Sequence, residues 1–282
     1  MNRIRNMASL VPFVVYVTMM FFVPTLLVAK SAFESADGGW TLANLAIFSR
    51  PGVGSAFLNS LWLSLLTALV GAVLGSIISF ALLGCAPGGI IRRTVDSASS
   101  TLSQFGGVML AFAFIATLGN QGMVTLFLRR AFHVDIYAGS MWLYTPRGLI
   151  LPYLFFQIPL MIITFFPAIS RLSPQFAEAV AMLGGGRRDY WRYVGVPVLV
   201  PAFMGGFLLL FANAFSAYAT AAALISQGSQ IAPLQVRAAL ISETGLGSGG
   251  EAGALAMGML GVMIVVVGAY ALVERKASTW IG

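Results

Sequence analysis

Charged residues are what this sequence has least of: only 9% of its 282 residues are Asp, Glu, Lys or Arg, whereas 59% are hydrophobic. A soluble domain carries roughly 25% charged residues because its surface has to face water. Too little charge is present here to cover a soluble surface of this size. Much of the surface must therefore face lipid, and the sequence predicts an integral membrane protein.

Residues that commonly carry chemistry are almost as scarce. The single cysteine, Cys85, excludes an internal disulfide, and the single histidine, His133, excludes a multi-histidine metal site. Lys30 and Lys276 are the only lysines, and neither follows the glycine pattern of a phosphate-binding loop. Few ionisable residues fall inside the apolar stretches, which disfavours a secondary transporter, although a site lined by backbone groups keeps that alternative open. We predict no catalytic residue, no metal site and no bound cofactor in this chain, which is not expected to be an enzyme.

Six uncharged stretches are long enough to cross the hydrocarbon core, which takes about 20 apolar residues. The alternating pattern of a membrane barrel strand does not occur, so helices are the expected spanning element. We expect one helix in each stretch and a single all-α membrane domain over residues 1–282, although the longest stretch could also hold a short re-entrant piece. The expected spans are approximately 10–30, 56–84, 101–128, 148–170, 201–226 and 252–273, with a cytoplasmic loop at 171–200.

Arginine and lysine are divided unevenly between the two sides of this arrangement. With six spans, both ends of the chain fall on one side, together with ten of the sixteen basic residues. Cytoplasmic loops usually carry the excess of Lys and Arg. The sequence therefore predicts a multi-pass protein with both termini in the cytoplasm. The net charge of +7 indicates this topology and not a nucleic-acid partner, because no basic face on a soluble domain is available.

The loop between the fourth and fifth spans combines a short helix, a glycine stop and a basic segment. Ser173 suits an N-cap and Pro174 suits the first helical position. Gly184 begins a run of three glycines that should end this helix after roughly three turns. Arg187 and Arg188 then open a second, basic and aromatic segment that leads into the fifth span. The pattern predicts a helix-turn-helix against the membrane face.

Two interpretations fit this helix-turn-helix. Its small residues would let a partner surface approach closely, and its arginines could hold acidic groups or lipid phosphates. Alternatively, Trp191 and Tyr193 would anchor an interfacial amphipathic loop without any partner. Composition alone does not decide between them.

The same loop resembles the signature of permease subunits of type I ATP-binding-cassette (ABC) importers. That signature reads Glu-Ala-Ala, three residues, Gly, nine residues, Ile or Val, any residue, Leu-Pro. Here Glu178, Ala179 and Gly184 match at the right spacing, and 194–197 (Val-Gly-Val-Pro) closes the pattern. One valine replaces the second Ala of the signature and another replaces its Leu. The match also falls where the family has it, before the fifth of six spans on the expected cytoplasmic side.

This resemblance implies a role and a set of partners. The helix that carries Glu178, Ala179 and Gly184, with Arg187 and Arg188 beside it, would couple to a cytoplasmic ATPase. The implied partners are two ATPase subunits that bind ATP and Mg, a second permease that is expected to be a different chain, an extracytoplasmic solute-binding protein and membrane lipid. Closure of the ATPases on ATP would swing the permease pair from inward-facing to outward-facing. The implied location is the bacterial cytoplasmic (inner) membrane.

The solute is indicated only by resemblance. The segment 183–185 (Leu-Gly-Gly) is closer to the Leu-Gly-Ala form of permeases for polyamines, thiamine, ferric iron, phosphonates and oxyanions than to the Asp-Gly-Ala form of sugar permeases. It favours a small charged solute, with a sugar as the alternative. Polar residues within the spans are candidates for the translocation path, although each could instead form a hydrogen bond between helices. They are Asn59, Gln104, Gln157, Asn213 and Tyr218.

Overall fold

The computed structural model describes residues 2–35, 38–86, 88–172, 174–225, 230–241 and 249–278, and within these ranges the chain is predominantly α-helical. Ser173, the expected N-cap, lies outside them. The helices are α1 (Asn2–Ala32), α2 (Val53–Leu83), α3 (Ile90–Leu102), α4 (Gly107–Leu118), α5 (Met123–Ala131), α6 (Ile150–Ile169), α7 (Pro174–Met182), α8 (Arg187–Tyr190), α9 (Val196–Ser216), α10 (Ala219–Leu224), α11 (Ala232–Ile241) and α12 (Gly249–Ser278). A π-helical turn, Trp191–Gly195, joins α8 to α9.

Six segments in the described ranges are long and apolar enough to cross a bilayer. They are Val11–Ala32, Val53–Leu83, Gly107–Ala131, Pro146–Ile169, Arg187–Ser216 and Gly249–Ala271. The prediction of an all-α integral membrane protein with about six spanning helices is confirmed. The helix-turn-helix expected after the fourth span is formed by α7 and α8, and α8 is the beginning of the fifth span.

The third and fifth spans differ from the single helices expected. Residues 101–128 include a break between α3 and α4 and another between α4 and α5. Glycines allow both breaks, since Gly107 has a positive φ of 71° and a side chain at Gly122 would clash with the backbone of α4. The fifth span begins at Arg187 and not near residue 201, and it ends at Ser216, with α10 as a separate helix. The backbone at Ala217 is extended, which ends α9.

Helices α2, α6 and α9 form the centre of the bundle. A Cβ at Gly75 of α2 would lie 2.5 Å from Met161 Cβ of α6, and one at Gly71 would lie 3.1 Å from Gln157 Cβ. Helix association in lipid depends on such close packing, because lipid tails are as apolar as the side chains. The small residues of α2 therefore let it contact α6 almost backbone to backbone.

Helices α1 and α12 pack together at the edge of this centre. From Val11 onward α1 leaves most of its apolar side chains exposed, including Phe13 and Phe21, so this face suits lipid or a partner chain. Arg50 Nη1 donates a hydrogen bond to Glu251 Oε2 at 2.8 Å. That ion pair ties the beginning of α12 to the segment that precedes α2.

Candidate functional site

The turn between α7 and α8 has a geometry that requires glycine. Gly184 has a φ of +77° and donates its N–H to Ala181 O at 3.0 Å, while Gly185 donates its N–H to Val180 O at 2.9 Å. These two bonds form a Schellman motif, in which the residue after the helix end is left-handed. A Cβ at Gly185 would also lie 2.7 Å from Val180 Cγ1. The prediction that glycines end this helix is confirmed. Gly184 is required because of its positive φ, and Gly185 because a side chain there would clash with Val180.

Helix α7 projects with its side chains largely uncovered. Glu178 and Ala179 are both exposed, and the two residues at the helix end, Met182 and Leu183, are 88% and 89% exposed. Phe176 is exposed as well. Sequence reasoning named the acid and the small residues, but it missed this apolar tip. Apolar side chains displayed beside a polar helix are typical of a surface that another protein or a membrane covers.

The basic residues that follow begin α8. Asp189 Oδ2 accepts a hydrogen bond from the Gly186 N–H at 2.9 Å and so caps this short helix. Arg187 and Arg188 are exposed, and neither takes part in an ion pair within the described parts of the chain. Their guanidinium groups remain open to acidic groups of a partner or to lipid phosphates.

Trp191 attaches the α7–α8 helix-turn-helix (the α7–α8 hairpin) to the bundle. Its ring meets Phe80 of α2 edge-on at a centroid distance of 5.9 Å, and Phe80 in turn meets Phe165 of α6 at 6.2 Å. The ring also lies against Gly195, where a Cβ would be 2.5 Å from Trp191 Cε3. Trp191 is thus a packing residue, whereas Tyr193, its expected partner as an interfacial anchor, is exposed.

A π-helical turn carries Trp191 at the start of the fifth span. Pro197 follows this turn, and a proline cannot donate the hydrogen bond that an α-helix needs at its position. A wider turn before the proline accommodates the missing bond, and π-turns inside helices are frequent at functional sites. The segment 194–197 therefore marks a built-in irregularity between α8 and α9.

The polar residues named as path candidates separate into three places. Gln157 is fully buried and its Nε2 donates to Thr67 Oγ1 at 3.1 Å, so it belongs to the α2–α6 contact. Its Oε1 has no hydrogen-bond partner among the described residues. The other four candidates line two cavities, which are described below, and Gln157 lines neither of them. For Gln157 the interhelical alternative is the one that the structure favours.

An inner cavity of about 320 Å³ lies where two spans are interrupted, between α3 and α4 on one side and between α9 and α10 on the other. Its polar lining includes Gln104, Asn213 and Tyr218. The breaks are held by side chains: Thr220 Oγ1 accepts from the Gly107 N–H at 2.9 Å. Interrupted helices near the middle of the membrane form solute sites in many transporters. The structure thus brings together three of the five candidates.

An outer cavity of about 680 Å³ lies at the end of the bundle opposite α7. Asn59 lines it, with its Nδ2 donating to Gln230 O at 3.0 Å and its Oδ1 accepting from Trp62 Nε1 at 3.2 Å. Trp142 and Arg147 line it too. Sequence reasoning missed both tryptophans and this arginine, because aromatic and basic residues at span ends indicate topology before they indicate a site.

The loop that carries Trp142 is fixed by an ion pair. Arg129 Nη2 donates to Asp135 Oδ1 at 2.9 Å, and the Tyr137 N–H donates to the same oxygen. These hydrogen bonds hold the pKa of Asp135 below its usual range, and the bond from Arg129 has the larger effect. The Tyr137 ring stacks on Trp142, its hydroxyl donates to Leu118 O at 2.7 Å, and burial raises the pKa of Tyr137 to about 12.

No group of His, Cys, Asp and Glu that could hold a metal ion occurs among the described residues. No Asp or Glu lines either cavity in the part of the chain that the structure describes. The chemistry available at the two cavities is therefore hydrogen bonding, aromatic contact and a single positive charge.

Comparisons with known proteins agree on one class. No family model matches the chain. Its sequence is 24% identical over 186 residues to the "Probable sulfate transport system permease protein cysT" of Helicosporidium sp. subsp. Simulium jonesii, which covers 65% of this chain and 64% of that protein. It is 30% identical over 98 residues to the "Inner membrane ABC transporter permease protein YdcU" of Escherichia coli (strain K12), which covers 35% of this chain and 30% of that protein. The chain thus spans less than two thirds of the length of these relatives.

Solved structures share the fold over nearly the whole chain. A chain of a bacterial ABC transporter involved in the import of the acidic polysaccharide alginate gives a TM-score of 0.69 at 16% identity, over 95% of this chain and 94% of that one. A chain of the bacterial alginate ABC transporter in complex with an alginate pentasaccharide-bound periplasmic protein gives 0.71 at 17% identity, over 95% and 93%. The chain is similar in sequence to permease proteins of ABC transporters, and it has the fold of chains from an ABC transporter involved in import.

Proposed function

We propose that this chain is the permease subunit of a bacterial ATP-driven importer and forms half of its translocation pathway. The observation that carries the proposal is the α7–α8 hairpin, a projecting surface that Trp191 joins to α2 and α6. A partner that moves α7 would therefore also move α2, which borders the outer cavity. In this proposal, solute binding and partner contact would lie at opposite ends of one packed unit.

The assembly that fits this role contains several other chains. Two cytoplasmic ATPase subunits would bind ATP and Mg and contact Glu178, Ala179 and Gly184, while Arg187 and Arg188 meet acidic groups of the same partner or lipid phosphates. A second permease, expected to be a different chain, would complete the pathway. An extracytoplasmic binding protein would deliver the solute, and the alginate ABC transporter has been solved in complex with an alginate pentasaccharide-bound periplasmic protein. Both termini and α7 would then lie in the cytoplasm.

The solute is proposed to be charged. Two of the similar proteins are named for anions: the sulfate permease and the transporter of the acidic polysaccharide alginate. This points away from polyamines and metal cations within the group that the Leu-Gly-Gly segment suggested. Neutral sugars stay the alternative within the same superfamily.

Reconstitution of the complex tests this proposal. The chain would be co-purified with its ATPase pair, second permease and binding protein, inserted into proteoliposomes, and assayed for solute uptake and ATP turnover together. We expect Glu178→Ala to leave the protein in the membrane and to abolish the stimulation of ATP turnover by loaded binding protein. The control is Arg93→Ala on α3, an exposed charged residue outside α7, which should leave the stimulation unchanged. Unchanged stimulation in the Glu178→Ala complex would refute the assignment of α7 as the coupling helix.

A single-cysteine scan tests the orientation independently of transport. In a Cys85→Ala background, cysteines at 133 and 178 would be labelled with an impermeant thiol reagent on intact cells. We expect position 133 to react and position 178 to react only after the membrane is opened. Labelling of position 178 from outside would contradict both the orientation and the proposed ATPase contact.

A further inference from the structure

The two cavities lack the negative charge that a site for a cationic solute would need. In the parts of the chain that the structure describes, no carboxylate lines either cavity. The inner cavity is lined by neutral groups, and the outer cavity holds one charged side chain, Arg147. Among the described residues, a cationic solute would find no carboxylate in either cavity, whereas an anionic solute would find a positive charge in the outer one.

Arg147 lines the outer cavity and has no ion-pair partner among the described residues. It lies in the short 3₁₀ segment Pro146–Leu149 that leads into α6. The next residue, Gly148, packs so closely on the backbone of Leu143 that any side chain there would clash with it, so the backbone that presents Arg147 is fixed. Arg147 forms no ion pair within the described ranges, although four other basic residues there are paired with carboxylates.

The rest of the outer cavity offers hydrogen bonds and aromatic faces. Asn59 uses one amide hydrogen and one oxygen lone pair on its neighbours, so a second hydrogen and a second lone pair remain for a ligand. Trp62 and Trp142 supply large, rigid surfaces that are apolar on their faces and polar at the ring nitrogen. Such a lining suits a molecule with ring or chain carbons and several hydroxyl or carbonyl groups.

The size of the outer cavity also bears on the ligand. Its volume of about 680 Å³ falls within the range of roughly 300–1,000 Å³ that small organic ligands occupy in proteins. One water takes about 30 Å³ of liquid volume. A small inorganic oxyanion, only a few times larger, would leave most of the aromatic and amide lining without contact.

We propose that the outer cavity is an entry site for an organic anion, with its carboxylate or sulfate oxygens paired to Arg147 and its carbon skeleton against Trp62 and Trp142. The planar guanidinium can hold two oxygens of such a group at once, which is a geometry that a lysine cannot reproduce. The inference deepens the proposed function by naming a solute class. Binding itself can be measured whether or not transport is ATP-driven.

The binding test uses the full chain in lipid nanodiscs with four probes of known composition. They are a galacturonic acid trisaccharide, a neutral trisaccharide of the same length, inorganic sulfate and spermidine. Affinity is read by calorimetry and by quenching of tryptophan fluorescence, and Trp142→Phe assigns the quenching to the outer cavity. We expect the acidic trisaccharide to bind more tightly than the other three, and its quenching to fall in Trp142→Phe. Equal or tighter binding of spermidine would overturn the charge argument, and tighter binding of sulfate would overturn the size argument.

Arg147 is tested against a matched arginine on the same side of the bundle. Arg147→Gln should weaken binding of the acidic trisaccharide about tenfold or more, because it removes hydrogen bonds to a charged group, and Arg147→Lys should restore only part of the affinity. The control is Arg237→Gln on α11, an exposed residue that lines neither cavity. An equal effect of the Arg147→Gln and Arg237→Gln variants would refute the site.

Uptake by the reconstituted complex separates this inference from the proposed function. If the wild-type complex shows no ATP-dependent uptake while the isolated chain binds the acidic trisaccharide through Arg147, the importer proposal fails and the site stands. If ATP-driven uptake of the acidic trisaccharide is the same in Arg147→Gln and wild type, the importer proposal stands and the site fails.

Discussion

Replacing Gly184 by alanine tests the α7–α8 turn at the residue on which its geometry depends. Gly184 has a φ of +77°, and the left-handed conformation costs a residue with a Cβ about 1–2 kcal/mol. Helix α7 has nine residues, and isolated helices of this length are marginal. The free-energy cost of the alanine therefore destabilises α7, a helix with little stability of its own. One to two kcal/mol corresponds to a factor of about 5–30 in an equilibrium constant.

Hydrogen exchange measures that factor directly. With the chain in nanodiscs, we expect the amides of α7 in the Gly184→Ala variant to exchange about 5–30 times faster than in wild type. Gly184→Asn should lie between the two, because asparagine tolerates the left-handed region better than alanine. In the reconstituted complex, the same alanine variant should lose part of the ATP turnover that loaded binding protein stimulates.

A neighbouring glycine supplies the control. Gly186 has an extended backbone with a φ of −93°, and a Cβ there would meet nothing closer than Asp189 Oδ2 at 3.8 Å. Gly186→Ala should therefore leave the exchange of α7 unchanged. Equal exchange rates in the Gly184→Ala and Gly186→Ala variants would show that the left-handed turn does not stabilise α7, and the argument would fail.

Three further predictions follow from the packing and the charges. Gly75→Ala should lower the yield of folded protein, because its Cβ would lie 2.5 Å from the nearest α6 side chain, whereas Gly205→Ala, with nothing within 4 Å, should not; size-exclusion profiles in detergent compare them. Trp191→Ala removes an aromatic pair contact worth about 1 kcal/mol and should reduce stimulated ATP turnover while membrane insertion, read by immunoblotting of membranes, stays normal. Because Arg129 lowers the pKa of Asp135, this ion pair should stabilise its loop at pH 5–8 and weaken only as the pH falls below about 4. Asp135→Asn should remove that acid-side loss from the pH profile of tryptophan fluorescence.

The fold could be predicted from the sequence because both of its main signals are local. Lipid-crossing helices need long apolar runs, so scarcity of charge revealed six of them without any tertiary information. The end of α7 could be predicted equally well, because a run of glycines starting at Gly184 indicates a helix end with a residue in the left-handed conformation. In both cases a short stretch of sequence contains the whole physical cause.

The interruptions of the third and fifth spans could not be predicted in the same way. No charge or proline marks the break before α4 or the extended residue Ala217. Hydrogen bonds across the bundle hold them, from Gly107 N–H to Thr220 and from the Tyr153 hydroxyl to Ala217 O. Since these partners are far apart in the chain, only the folded arrangement reveals them.

The candidate path residues illustrate the same limit. A polar side chain within a span predicts either helix packing or a path, and the sequence cannot distinguish them. The structure separates Gln157, which is buried against Thr67, from Asn213 and Tyr218, which line the inner cavity. Arg147 is one of the sixteen basic residues that the sequence uses only to predict topology, because its place at the outer cavity is a tertiary fact.

Helix α2 connects the proposed partner surface with the proposed entry site. Phe80 near one end contacts Trp191, and Asn59 near the other end lines the outer cavity. With a rise of 1.5 Å per residue, about 30 Å separates these two positions along an uninterrupted helix. Because Gly71 and Gly75 allow α2 to pack very closely against α6, we infer that these two helices move as one body.

The remaining spans complement that rigid pair. The breaks before α4 and after α9 replace helical hydrogen bonds with side-chain contacts, such as the Thr220 hydroxyl on the Gly107 N–H. A displacement of α2 and α6 by a partner at α7 would change the distance between these broken ends without unwinding any helix. In the proposed importer, α2 and α6 would carry the displacement from α7, and the interrupted spans would open or close the inner cavity. This division of roles would explain why closely packed, uninterrupted helices and broken ones occur in the same bundle.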